Sequence, residues 1–162
     1  MHNTVQNLIN IEKEIKNNLN ELNINNQTKI IAVSKTFGIN KIMPLIDYGH
    51  IDFGENKVQE AVDKWTEIKD RNENIKLHMI GKLQTNKVRF AVKLFDYIHS
   101  VDSQKLALKI SDESLKINKK IKIFIQVNIG EETQKAGTNK KEVENLVFFC
   151  QKLNLDLIGL MC

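Results

Sequence analysis

Residues 30–38, IIAVSKTFG, pass without a break from branched apolar side chains to a serine, a lysine and a turn glycine. Ile30, Ile31 and Val33 lack in–out alternation, the pattern of a strand buried on both faces, and such strands belong to parallel sheets covered by helices. Similar apolar runs return at 51–54 (IDFG), 76–80 (KLHMI), 96–101 (DYIHSV), 120–129 (KIKIFIQVNI) and 155–162 (LDLIGLMC). Between them lie segments whose apolar residues recur at helical spacing, over 39–48, 58–68, 86–95, 104–118 and 140–153, with a further helix over 4–21 before the first strand. Val5, Leu8, Ile15, Leu19 and Leu22 form the stripe of that first helix, with Glu12 its polar exception. Pro44 suits the first turn of the second helix and Gly49 its end, while Asn139 with Glu142 suits the start of the last. Trp65 falls on the apolar face of the third helix, where helix-to-sheet packing is its expected role.

Strands alternating with helices demand a mostly parallel sheet with helical crossovers. Six strands suit a doubly wound sheet, whereas an eight-stranded barrel would lack its last two strands and their helices. Periodicity leaves both architectures open. One domain over 1–162 is expected, since the chain holds one proline and no low-complexity linker.

The composition narrows the function classes. The net charge of +4 is spread through a chain of mixed charges, without a basic tail or aromatic–basic alternation, so nucleic acid is not an expected partner. No apolar run reaches membrane-spanning length and no secretory segment opens the chain, so a cytoplasmic, membrane-free setting is expected. Cys150 and Cys162 have no metal-ligand spacing, and Cys150 reads as a buried free thiol.

In either parallel architecture the strand ends that feed the helices border one site. Lys35 follows the first strand, Glu55 and Asn56 the second, Gly81 the third; His99 and Ser100 lie on the fourth, Gln126 and Asn128 on the fifth. Lys35 is either a snorkelling lysine or, if desolvated, an amine able to attack an aldehyde such as that of pyridoxal phosphate. Asn56 is either a ligand-binding amide or a helix cap, and Glu55 an orienter of neighbouring donors. Glu60 either supports the loop or sits in solvent. His78 and His99 show neither metal spacing nor a carboxylate partner in sequence, so metal ligation is not indicated. GKLQTNK lacks the phosphate-loop pattern. Lys135, in GEETQKAG, is either an anion attractor or part of a solvated loop.

The ordered motifs AVSKT, FGENKVQEA, LHMIGKLQTNK, IHSVDS, IQVNIGEETQKAG and LIGLMC closely resemble the pyridoxal phosphate homeostasis protein family (YggS/PROSC) over essentially the whole chain. That resemblance implies a truncated TIM-like (β/α)8 barrel, the fold-type III pyridoxal-phosphate architecture related to the alanine racemase N-terminal domain. It implies that Lys35 forms the Schiff base with pyridoxal 5'-phosphate, that Asn56, Met79, Ile80 and Gly81 border the cofactor, and that Lys135 takes part in its secondary handling. Lys82 stands where the family usually has proline, and the family's main phosphate-binding residues have no counterpart in these residues. The implied function is cofactor binding and vitamin B6 homeostasis without catalytic turnover, in a monomer serving pyridoxal-phosphate-dependent apo-enzymes. A racemase-like activity, or a shortened product with impaired cofactor binding, are the alternatives.

Overall fold

The computed structural model describes residues 2–25, 28–130 and 136–162. After helix α1 (Asn3–Glu21) come strand β1 (Ala32–Val33), α2 (Ile39–Tyr48), β2 (Asp52–Glu55), α3 (Val58–Arg71), β3 (Lys76–Met79), α4 (Val88–Leu94), β4 (Tyr97–Val101), α5 (Gln104–Lys116), β5 (Ile121–Gln126), α6 (Val143–Gln151) and β6 (Leu155–Met161). The six strands form one sheet in the order β1-β2-β3-β4-β5-β6, every pair parallel. A doubly wound sheet reverses its strand order at a switch point. Here each strand pairs with its successor throughout, which is the winding of a β/α barrel wall.

Alternation along each strand divides the sheet into two faces. Phe53 of β2 meets Trp65 of α3 with ring centroids 4.8 Å apart, so Phe53 faces the helices. Its register partner Leu77, and the row Met79, Ile98 and Ile123, share that face and are sealed from solvent. The opposite face carries the register row Val33, Gly54, His78, Tyr97, Lys122 and Asp156. The exposed large apolar residues of the sheet lie on its two outer strands, Val33 on β1 and Ile158 and Leu160 on β6, each of which has a ladder partner on one side only.

Chain ends of the helices follow local chemistry, with two departures from the sequence pattern. Gly49 ends α2 in the left-handed region (φ 100°), its N–H bonding Ile46 O and that of His50 bonding Leu45 O. Pro44, however, lies mid-helix and not in the first turn; it forfeits one backbone bond, and burial of Ile42 helps hold the helix against that loss. Asn139 Oδ1 accepts Glu142 N–H at 3.0 Å as the sequence suggests, yet the α-helix starts only at Val143. The short α4 ends on lysines: Lys69 Nζ donates to Leu94 O, and Lys119 Nζ to Val92 O and Phe95 O. Burial lowers the Lys119 pKa from its ordinary value. Cys150 is a buried free thiol, pushed up to about 11 by burial, whereas Cys162 is exposed.

The sealed helix-facing row is where truncation costs most. Leu77→Ala is expected to lower stability by about 2–5 kcal/mol, read as a fall in the urea midpoint with an unchanged slope.

Candidate functional site

The chain leaves β1 through Ser34, Lys35 and Thr36, and each neighbour of the lysine is pinned. Ser34 N–H donates to Gly54 O at 2.9 Å, and its hydroxyl donates to Glu55 Oε1 at 2.8 Å. Glu55 is fully buried at the end of β2, and the same Oε1 accepts Lys64 Nζ and Trp65 Nε1, each at 2.9 Å. Lys64 also donates to Ser34 O at 2.9 Å and to Glu60 Oε1 at 3.1 Å. Glu60 Oε1 in turn accepts the Thr36 N–H at 2.7 Å. That bond, then the one from Lys64, holds the Glu60 carboxyl below its ordinary pKa. Thr36 lies at φ +65°, a conformation a β-branched residue adopts at a cost of about 1–3 kcal/mol and only where its surroundings impose it. Between these fixed residues Lys35 is exposed, and no described residue bonds its ammonium. The desolvated setting considered from the sequence is therefore not the one the fold provides.

Three of the other expected residues come together beside this loop. Asn56 follows Glu55 directly, and its Oδ1 is buried without a bonding partner among the described residues. Ile80 N–H donates to Glu55 O at 2.9 Å, and its side chain packs over Gly54. Gly81 lies so close to Asn56 that a Cβ there would stand 2.3 Å from Asn56 O and 2.7 Å from its Cα. Met79 is placed differently: it is 1% exposed, in register with Ile98 on the helix-facing side, while alternation sends Ile80 the other way. Lys135 lies outside the described residues. Ser34 and Lys64 are functional supports that the sequence pattern does not single out; the four-residue spacing of Glu60 and Lys64 on one helix was the available signal.

A second polar group occupies the face opposite the helices. Neither histidine shows a carboxylate partner in sequence, but the fold supplies one for His78: its Nε2 meets Asp52 Oδ1 at 3.0 Å, residues 26 apart in sequence that neighbouring strands bring together. His78 Nδ1 meets His99 Nε2 at 2.9 Å. His78 stacks on Tyr97 at 4.2 Å and His99 on Phe124 at 4.3 Å. With Asp52 ionised, His78 donates from Nε2 and accepts at Nδ1, so His99 donates from Nε2 and keeps Nδ1 as an acceptor. Burial lowers the pKa of both rings, His78 against the opposing pull of Asp52, and His99 to about 4, with His78 as its second cause.

Two predictions follow from this geometry. Gly81→Ala is expected to cost about 1–3 kcal/mol by overpacking and to displace the Asn56 backbone, read by thermal unfolding and by the Asn56 amide resonance. Because His99 binds its proton more weakly folded than unfolded, stability is intact above the unfolded value near 6.5 and falls as the pH drops toward about 4. The loss from this ring is roughly 2–3 kcal/mol. Urea titrations across that range should show the slope, and His99→Gln should flatten it.

A cavity of about 470 Å³ lies in the groove of α3 and α4, lined by Val62, Lys69, Phe90 and Asp96, and Lys35 is not part of its lining. Residues 10–162 match the family model described as "Alanine racemase, N-terminal domain". The chain is 35% identical over 161 residues to the pyridoxal phosphate homeostasis protein of Haemophilus influenzae, covering 98% of this chain and 68% of that one. Other curated relatives of that name are matched over 58% of their length. Among solved structures, PipY of Synechococcus elongatus PCC7942 with PLP bound superposes with a TM-score of 0.76 at 34% identity, covering 88% of this chain and 67% of that one. An alanine racemase of Clostridium difficile shares the fold at a TM-score of 0.64 and 17% identity, covering 90% of this chain and 38% of that one.

Proposed function

This chain belongs to the alanine racemase N-terminal domain family and, within it, to the pyridoxal phosphate homeostasis proteins, and from that premise we propose that it binds and releases pyridoxal 5'-phosphate through Lys35. The observation that carries the reading is the clamp around that residue: Ser34 and Thr36 are held by Glu55, Glu60 and Lys64, so the backbone of Lys35 is fixed while its amine stays open to an incoming molecule. The surrounding residues fit the group. Asn56 Oδ1 is a buried acceptor with a bond still to make, suited to a ligand donor, and Ile80 offers an apolar flank beside it.

When bound, the cofactor supplies an electrophilic aldehyde carbon to which a neutral primary amine adds reversibly. The chain's own part is to hold Lys35 in one place, to hold its neighbours through buried bonds, and to leave the amine accessible for both capture and release. Asn56 orients the ligand edge, and Gly81 keeps the Asn56 backbone at its required position. Met79 enters this reading only as packing behind the strand ends, and Lys135, outside the described residues, as a cation that attracts the anionic ligand. Holding and release, not amino-acid turnover, is the proposed role, in a cytoplasmic monomer that passes its cargo to apo-enzymes requiring it. The six strands and the helices that connect them are read as part of a barrel wall. No helix among the described residues is long and apolar enough to cross a membrane.

Titration with pyridoxal 5'-phosphate, followed by absorbance and by borohydride reduction with peptide mass mapping, tests the reading. The expected result is a saturable new absorption and a reduced adduct confined to Lys35. Lys35→Ala should lose both while its unfolding free energy stays within about 0.5 kcal/mol of the parent, as for an exposed side chain. Equal labelling of both proteins would overturn the assignment.

A further inference from the structure

A separate concavity opens beside the loops that follow β2 and β3. It has a volume of about 410 Å³, and its polar lining is Asn56, Lys57, Gln59, Lys82, Gln84 and Lys87, with Met79 and Val58 as its apolar part. No carboxylate lines it. Among the described residues none of the three lysine ammonium groups makes an ion pair or a hydrogen bond, although those of Lys64, Lys69, Lys109 and Lys116 all do. The Glu60 carboxylate interacts with Lys57 but is already bonded to the Thr36 N–H and to Lys64. The cavity also meets the start of α3, a helix of 14 residues whose N-cap residue, Lys57, supplies no side-chain cap. The partly positive end of that helix adds to the field of the lysines. Asn56 Oδ1, buried and unpartnered, belongs to the same lining.

Three uncompensated ammonium groups around one concavity repel each other, and an anion between them relieves that repulsion. A cavity of this size takes a small molecule, not a polymer track, and it has no aromatic platform on which bases would stack. Side-chain amides at Asn56, Gln59 and Gln84 suit the hydroxyl or carbonyl groups that accompany a phosphate ester.

We infer that the concavity framed by Lys57, Lys82 and Lys87 is a noncovalent binding site for a small phosphomonoester dianion. It is distinct from the amine of Lys35 and neighbours it through the Asn56 strand end. The inference stands whether or not Lys35 holds an aldehyde, so the two fail separately.

The test is a titration of the isotopically labelled full chain with inorganic phosphate at constant ionic strength, followed by amide resonances of residues 57–59 and 82–87. A saturable shift confined to those residues is expected, and it should survive Lys35→Ala unchanged. The triple variant Lys57→Gln, Lys82→Gln, Lys87→Gln should bind at least about tenfold more weakly, while circular dichroism and the thermal midpoint verify that it is folded. Since all three side chains are free of partners among the described residues, an unfolded triple variant would itself contradict the inference. Shifts that grow linearly without saturation, or a triple variant that binds within twofold of the parent, would overturn it. So would loss of phosphate binding on Lys35→Ala alone, which would leave a single site at Lys35 and the proposed function standing.

Discussion

The buried carboxylate of Glu55 is the constraint on which the strand-end site depends. Removing a carboxylate from water costs several kcal/mol unless close donors replace the lost solvation. Here one oxygen is met by a hydroxyl from the end of β1 and by an ammonium and an indole N–H from α3. Those three donors belong to chain segments that must converge for the charge to be tolerated. The same bonds therefore fasten the first strand, the second strand and the third helix at one corner. Strand β1 contributes only two ladder residues and pairs on one side, so its end would be poorly defined by backbone bonding alone. Glu55 and Lys64 supply the missing definition through side chains.

Alternation of strands and helices was legible because burial on both faces of a parallel sheet leaves a run of apolar residues, and crossover helices leave a different period. Helix α2 could be bounded residue for residue from its pattern and its terminal glycine. Strand order was not legible in the same way, since periodicity says which residues are buried but not which strand lies beside which. The shortness of β1 was equally hidden: Ile30 and Ile31 have strand chemistry, but a strand with one neighbour can pair only where that neighbour runs. Helix α6 began later than its pattern because Asn139 closes a tight turn first, and the α-helical ladder starts beyond it.

The site was readable where a residue's role is tied to the backbone and opaque where it depends on distant side chains. Lys35, Asn56 and Gly81 stand at strand ends, and strand ends converge in any parallel winding. The opposite phases of Met79 and Ile80 follow from simple alternation, which separates a packing residue from one beside the loop. Nothing local announces that Asp52 will reach His78, or that His78 will reach His99. These pairs exist because strand register sets their side chains on one face. The two imidazoles, tilted 57° to each other and stacked on Tyr97 and Phe124, then fill space on the face of the sheet opposite the helices, which apolar residues fill on the other.

The bonds around Lys35 also show how an exposed amine can be held in one place. A buried lysine gains reactivity from desolvation but loses access, and a protein that must surrender its ligand needs both entry and exit. Here position comes instead from the backbone on either side, through Thr36 in a left-handed conformation and Ser34 locked to Glu55. The cost of the unusual Thr36 geometry, about 1–3 kcal/mol, is offset by a short bond to a carboxylate that Lys64 keeps in place. Strain of that kind persists only while its support persists. The backbone on either side of Lys35 is thus held from α3, and loosening Glu60 or Lys64 would free the loop without altering the amine itself.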